Sequence, residues 1–187
     1  MSERAYPLDG AAIERLAAAR RDEFEINRFM LEAMDELDDD IFDAFTERLA
    51  APIIAAIDCT QCARCCRMLD VYLEPEDGPR LAQALAIPLA VLTEQYIDRD
   101  GGAAYDAWGC FTRKPCALLR GNLCSVYEGR PTACRLYPQF TPSFRWTMAD
   151  AIDGAAICPI IYHVLSELSA QIDAGALRPG SRAMSRR

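Results

Sequence analysis

Histidine is almost missing: the chain has one, His163, in 187 residues. With that single histidine read as structural or surface, a Ser-His-Asp catalytic set has no support, and no G-x-G-x-x-G or P-loop pattern is present. Ordinary hydrolase, dehydrogenase and kinase chemistry is therefore excluded. Long apolar runs are missing as well. The stretch 49–57 is uncharged over nine residues and 81–92 over twelve, with Gln83 and Pro88 inside the second, whereas crossing a bilayer takes roughly 20. No membrane association is expected. The start, Met1-Ser2-Glu3-Arg4, is charged with no apolar stretch behind it, so no secretory signal is expected either. The length suits one domain with a real core.

Cysteine is abundant. There are nine, an odd number, and four stand within eight residues as Cys59-Thr60-Gln61-Cys62-Ala63-Arg64-Cys65-Cys66. Without an export signal this usage points to a reducing cytoplasm, where thiols bind metal rather than pair as disulfides. A C-x2-C step lets two thiolates from one tight turn approach the same ion, and the second x2 step adds a third. Buried cysteines also pack well as small hydrophobes, but their density here speaks against that reading. Consecutive side chains diverge on a helix or strand, so Cys65 and Cys66 imply two neighbouring centres, or one cluster with further sulfurs around it. A second set, Cys110, Cys116, Cys124 and Cys134, spans a Gly- and Pro-rich stretch of weak periodicity, and Cys158-Pro159 follows.

Charge is unevenly placed. The first 50 residues carry 14 acidic and 6 basic side chains, which accounts for the whole net charge of −8. These acidic helices are the expected surface for an unidentified protein partner. Between Cys110 and Arg145 the balance reverses: Arg113, Lys114, Arg120, Arg130, Arg135 and Arg145 face only Glu128. Interleaved with cysteines, these cations suit compensation of metal thiolates, with Arg130 and Arg135 bracketing Cys134. They form no continuous basic run, so nucleic-acid binding is not expected.

The pattern predicts a mainly α, small α+β fold with irregular, metal-stapled cysteine-rich loops and a few short strands. Residues 1–54 read as an N-terminal helical extension, 55–174 as the cysteine-cluster domain and 175–187 as a disordered basic tail. A helix over 10–21, after the breaker Pro7 and capped by Asp9, precedes a long one from Asp22, whose apolar stripe runs Ile26, Phe29, Met30, Ala33, Met34, Leu37, Ile41, Phe45, Leu49 and ends at Pro52. Asp38-Asp39-Asp40 fans around that helix and reads as a solvated face. A strand is expected at Val71–Leu73, with Pro75 opening a helix to about Ala86. A second helix should run from Pro88 to about Asp98 and stop at Asp100-Gly101-Gly102; neither helix carries identifiable chemistry. Phe144 to Met148 reads as a strand, and Cys158-Pro159 opens a last helix to about Ala174.

Taken in order, Cys59 to Cys66, Cys116-Ala117-Leu118-Leu119, Cys124-Ser125-Val126-Tyr127-Glu128, Arg130-Pro131-Thr132-Ala133-Cys134-Arg135-Leu136-Tyr137-Pro138 and Cys158-Pro159 resemble the YkgJ-type CxxCxxCC cysteine-cluster family over about residues 55–170. The resemblance implies a zinc- or iron-chelating domain with eight shared cysteines: Cys59, Cys62, Cys65, Cys66, Cys116, Cys124, Cys134 and Cys158. Cys110 falls outside the pattern and reads as a structural or spare thiol. The same motif occurs in flagellin lysine N-methylases, so an iron-sulfur-dependent lysine methylase-like enzyme is the alternative function. Soft thiolates select zinc, copper(I) or iron. C-x2-C-x2-C with a remote Cys-Pro echoes the bacterial ferredoxin layout and favours an iron-sulfur cluster, while eight thiolates equally close two tetrahedral Zn2+ sites. His163 is assigned a structural or surface role, and Tyr127 and Tyr137 pack around the site.

Overall fold

The computed structural model describes residue 6 and residues 9–177; Pro7 and the tail from 178 onward lie outside the described residues. The fold is mainly helical with a few short strands, as expected. It divides into two compact units: residues up to Asp58 with those from Pro138 onward, and Cys59–Tyr137.

The first unit is built of four helices, α1 (Gly10–Glu32), α2 (Asp39–Ala56), α9 (Phe144–Gly154) and α10 (Pro159–Asp173). The Asp9 carboxylate accepts from the Ala11 and Ala12 amides and starts α1, which continues through the expected break near residue 21. The long second helix is a correction. The chain leaves helical geometry at Ala33, and Asp38 restarts it by accepting from the Ile41 amide, with Asp39 and Asp40 in the first turn. The three aspartates are a helix start, where carboxylates are favoured by the helix dipole. Leu37 and Phe42, the staple positions around that cap, are both buried.

Pro52 does not end α2. It sits inside the helix, which runs on to Ala56 with Ala50 and Ile53 buried; that packing offsets the hydrogen bond Pro52 cannot make to the Arg48 carbonyl. The predicted apolar stripe also faces the wrong way over α1: Ile26 and Phe29 are 67% and 60% exposed, and the buried side chains are Ile13, Ala17, Phe24 and Leu31. Asn27 joins that buried face because its amide donates to the Ser169 hydroxyl at 2.9 Å. Phe144 to Met148 is helical, not extended, because the Asp43 carboxylate accepts from the Ser143 and Phe144 amides at 2.6 and 2.9 Å and caps α9 from another helix. Helix α10 ends in a left-handed Gly175, with the Gly175 amide on the Ile172 carbonyl and the Ala176 amide on that of Gln171. Leu177 is buried, so the expected tail is ordered through that residue.

The second unit has shorter pieces: α3 (Cys59–Cys62), α4 (Arg64–Met68), β1 (Tyr72–Leu73), α5 (Asp77–Leu85), α6 (Leu89–Tyr96), β2 (Ile97–Asp98), α7 (Arg99–Ala103), β3 (Gly109–Phe111), β4 (Leu119–Arg120), β5 (Leu123–Cys124), a 3-10 turn (Tyr127–Gly129) and α8 (Thr132–Leu136). The strand at Tyr72–Leu73 lies where expected. It pairs antiparallel with β3, which pairs on its other side with β2 in the register Ile97 to Phe111 and Asp98 to Cys110. That pairing ends the helix at Tyr96, two residues short of the expected Asp98, and Asp100-Gly101-Gly102 lies within α7 rather than stopping a helix. Glycine is required at Gly102, where a Cβ would stand 2.2 Å from the Gly109 backbone. Leu73, Leu81, Leu92, Ile97, Phe111, Leu118 and Val126 form a small apolar core.

Candidate metal centre

The motif loop is two short helical turns with a reversal between them. Cys59 and Cys62 share α3, and Ala63 then takes φ 50°, a left-handed conformation unusual for alanine, before α4 presents Cys65 and Cys66. The Ala63 amide donates to the Cys59 carbonyl and the Leu69 amide to that of Cys65. The two adjacent sulfurs do not part as expected: Cys65 Sγ and Cys66 Sγ are 3.9 Å apart. That is close to the edge, about 3.8 Å, of a tetrahedron of sulfurs 2.3 Å from a zinc ion.

Cys116 is bonded to Cys66 through the backbone, and Cys124 and Cys134 lie within electrostatic reach of this pair. The Cys116 amide donates to the Cys66 carbonyl at 2.8 Å, and the Leu119 amide closes a turn back to Cys116. Leu119 pairs with Cys124 in the β4–β5 hairpin. Cys134, on α8, feels the charges of Cys66, Cys116 and Cys124. Cys59 is exposed, and Cys62, Cys65, Cys66, Cys116, Cys124 and Cys134 are half-buried. Cys158 belongs to the other unit, buried at the N-cap of α10. Among the described residues no three cysteine, histidine or acidic side chains are drawn together to metal-holding distance.

The electrostatics explain why a cation would suit this set. Cys66 is lowered to about 6, first by the hydrogen bond from Cys65 and then, against burial, by the charges of Arg130 and Arg67. Cys134 is pushed up to about 12, first by burial and then by the neighbouring sulfurs, with Arg130 opposing. Burial also raises Cys116. One thiolate is thus favoured and the next are disfavoured beside it. A bound Zn2+ or iron would supply the missing positive charge and hold thiolates as ligands, and an all-sulfur donor set fits either metal.

Of the expected cations, Arg130 acts on Cys66 and Cys134, while its guanidinium lies 3.6 Å from the Tyr127 ring centre. Arg135 donates to the Thr132 hydroxyl, Lys114 pairs with Asp70, and Arg120 donates to the Ala117 and Leu119 carbonyls. Arg145 is engaged in the first unit, with the Met34 carbonyl and Asp39. The cation missed from the sequence is Arg67. It donates to the Cys62 and Ala63 carbonyls, to the Gly121 carbonyl at 2.9 Å and to Asn122 Oδ1 at 2.8 Å, and the Asn122 amide returns to the Gln61 carbonyl. Arg67 thereby ties the motif loop to the β4–β5 turn. Its place directly after Cys66, and Gly121-Asn122 as a two-residue turn with Gly121 at φ 61°, were the available signals. Cys110, in the middle strand, is raised by burial and by Asp98 and Asp70. His163 lies between the rings of Tyr6 and Tyr162, at 4.8 and 5.1 Å.

Residues 58–158 match a family described as a putative zinc- or iron-chelating domain. The chain belongs to the CxxCxxCC family. No curated protein and no solved structure matches it. The family match begins one residue before Cys59 and ends on Cys158, so it encloses all nine cysteines. No helix among the described residues is long and apolar enough to cross a membrane.

Proposed function

We propose that this CxxCxxCC domain binds zinc or an iron-sulfur cluster through thiolates in a reducing cytoplasm, and that the metal fixes the conformation of the cysteine-rich unit. Cys66, Cys116, Cys124 and Cys134 are its central ligands; Cys59, Cys62, Cys65 and Cys158 complete the eight that the family resemblance implies. The carrying observation is the 3.9 Å approach of Cys65 Sγ and Cys66 Sγ on a loop to which the Cys116 amide is bonded, with Arg67 anchored beside it. Thiolates so close are unfavourable without a cation and favourable around one. No observation among the described residues favours the methylase-like alternative.

The test is analysis of iron, zinc and acid-labile sulfide, with the visible spectrum, on protein purified anaerobically from metal-supplemented cells. Iron with sulfide and broad visible absorption selects a cluster; zinc alone selects tetrathiolate sites. Protein free of both metals defeats the proposal.

A further inference from the structure

Helix α5, which carries no cysteine, holds a carboxylate that is 0% exposed, Asp77. Its Oδ1 accepts from the Thr132 amide at 3.0 Å, from the Thr132 hydroxyl at 3.1 Å and from the Arg80 guanidinium; its Oδ2 accepts from the Glu74 amide at 3.0 Å. Arg80 donates in turn to the Thr132 hydroxyl at 3.2 Å. Thr132 is the first residue of α8, two before Cys134, and α8 has no cap from its own N-cap residue, Pro131. The same strip of chain touches α5 a second time, at Gly129, where an added Cβ would stand 2.5 Å from Ala84 Cβ. A buried charge with four donors around it is costly to disturb, so the start of α8 is held more rigidly than five helical residues could hold themselves.

We propose that Asp77 is a positioning residue for the metal centre: by gripping Thr132 it sets where Cys134 stands relative to Cys66, Cys116 and Cys124. The inference rests on the proposed metal-binding role, yet concerns a residue outside the cysteine pattern. The Thr132 hydroxyl and amide both matter, because together they fix the turn that precedes the cysteine.

The experiment uses the full chain as purified, with Asp77→Asn, Thr132→Val and Thr132→Ser variants. Two rates are followed: metal transfer to a chromogenic chelator, and N-ethylmaleimide labelling of Cys134 and Cys110 resolved by peptide mass spectrometry. Asp77→Asn and Thr132→Val should each speed metal loss and Cys134 labelling about tenfold, the scale of changes in the shell behind metal ligands. Cys110 labelling should not change, and Thr132→Ser should behave as wild type. Unchanged Cys134 labelling in Thr132→Val, or Cys110 and Cys134 rising together in both damaging variants, overturns the proposal. Wild type that carries no metal would defeat the metal-binding role instead, while the labelling comparison would still decide whether Asp77 positions Cys134.

Discussion

The two units are held by different means. The first has helices of 23, 18, 11 and 15 residues, each long enough to offer a continuous apolar face, and its core includes Phe24, Phe42, Phe144, Leu165 and Leu168. The second has no helix longer than the nine residues of α5 and no strand longer than the three of β3. Segments so short bury little each and are marginal alone. What joins them is a small apolar core, backbone pairing around β3 and the Arg67 and Asp77 clamps, to which the proposed metal would add thiolate bonds. Length of element thus decides whether packing alone can maintain a fold or whether cross-links must contribute.

The largest break in this comparison should come from removing metal. Structural metal sites contribute on the order of 10 kcal/mol, comparable with the whole net stability of a domain. Chelator treatment should make residues 59–66 and 119–137 protease-sensitive while α1, α2, α9 and α10 keep their helicity, read by limited proteolysis and circular dichroism. Cys134→Ser should reproduce that sensitivity; Cys110→Ser should not. Resistance of 119–137 without metal would show that the second unit stands on packing alone.

A smaller effect, in the opposite unit, should follow from Phe144→Ala. Phe144 is fully buried with the Phe42 ring 6.2 Å and the Phe140 ring 5.4 Å from it, so its truncation should cost about 3–5 kcal/mol by denaturant unfolding. Metal content should stay at the wild-type level; metal lost in proportion to stability would erase the distinction between the units. The smallest change concerns Asp43→Ala, which removes the carboxylate that accepts from the Ser143 and Phe144 amides. A cost of about 1 kcal/mol is expected, seen as a lower unfolding midpoint with an unchanged slope.

Sequence alone determined the family, the helical character, the strand at β1 and the last helix. It could do so because metal-ligand spacing and Pro at a helix start act over a few residues of contiguous chain. Tertiary structure decided the rest. Phe144 to Met148 is a helix because Asp43 caps it across 100 residues, at Ser143; Ile97 and Asp98 leave helical geometry where they pair with Phe111 and Cys110. Which face of α1 is buried depends on which helices it meets, so Phe24 is covered while Phe29, equally apolar, is exposed. Asp77 and Arg67 gained roles for the same reason: their partners, Thr132 and Asn122, lie 55 residues away in each case, beyond the reach of any local pattern.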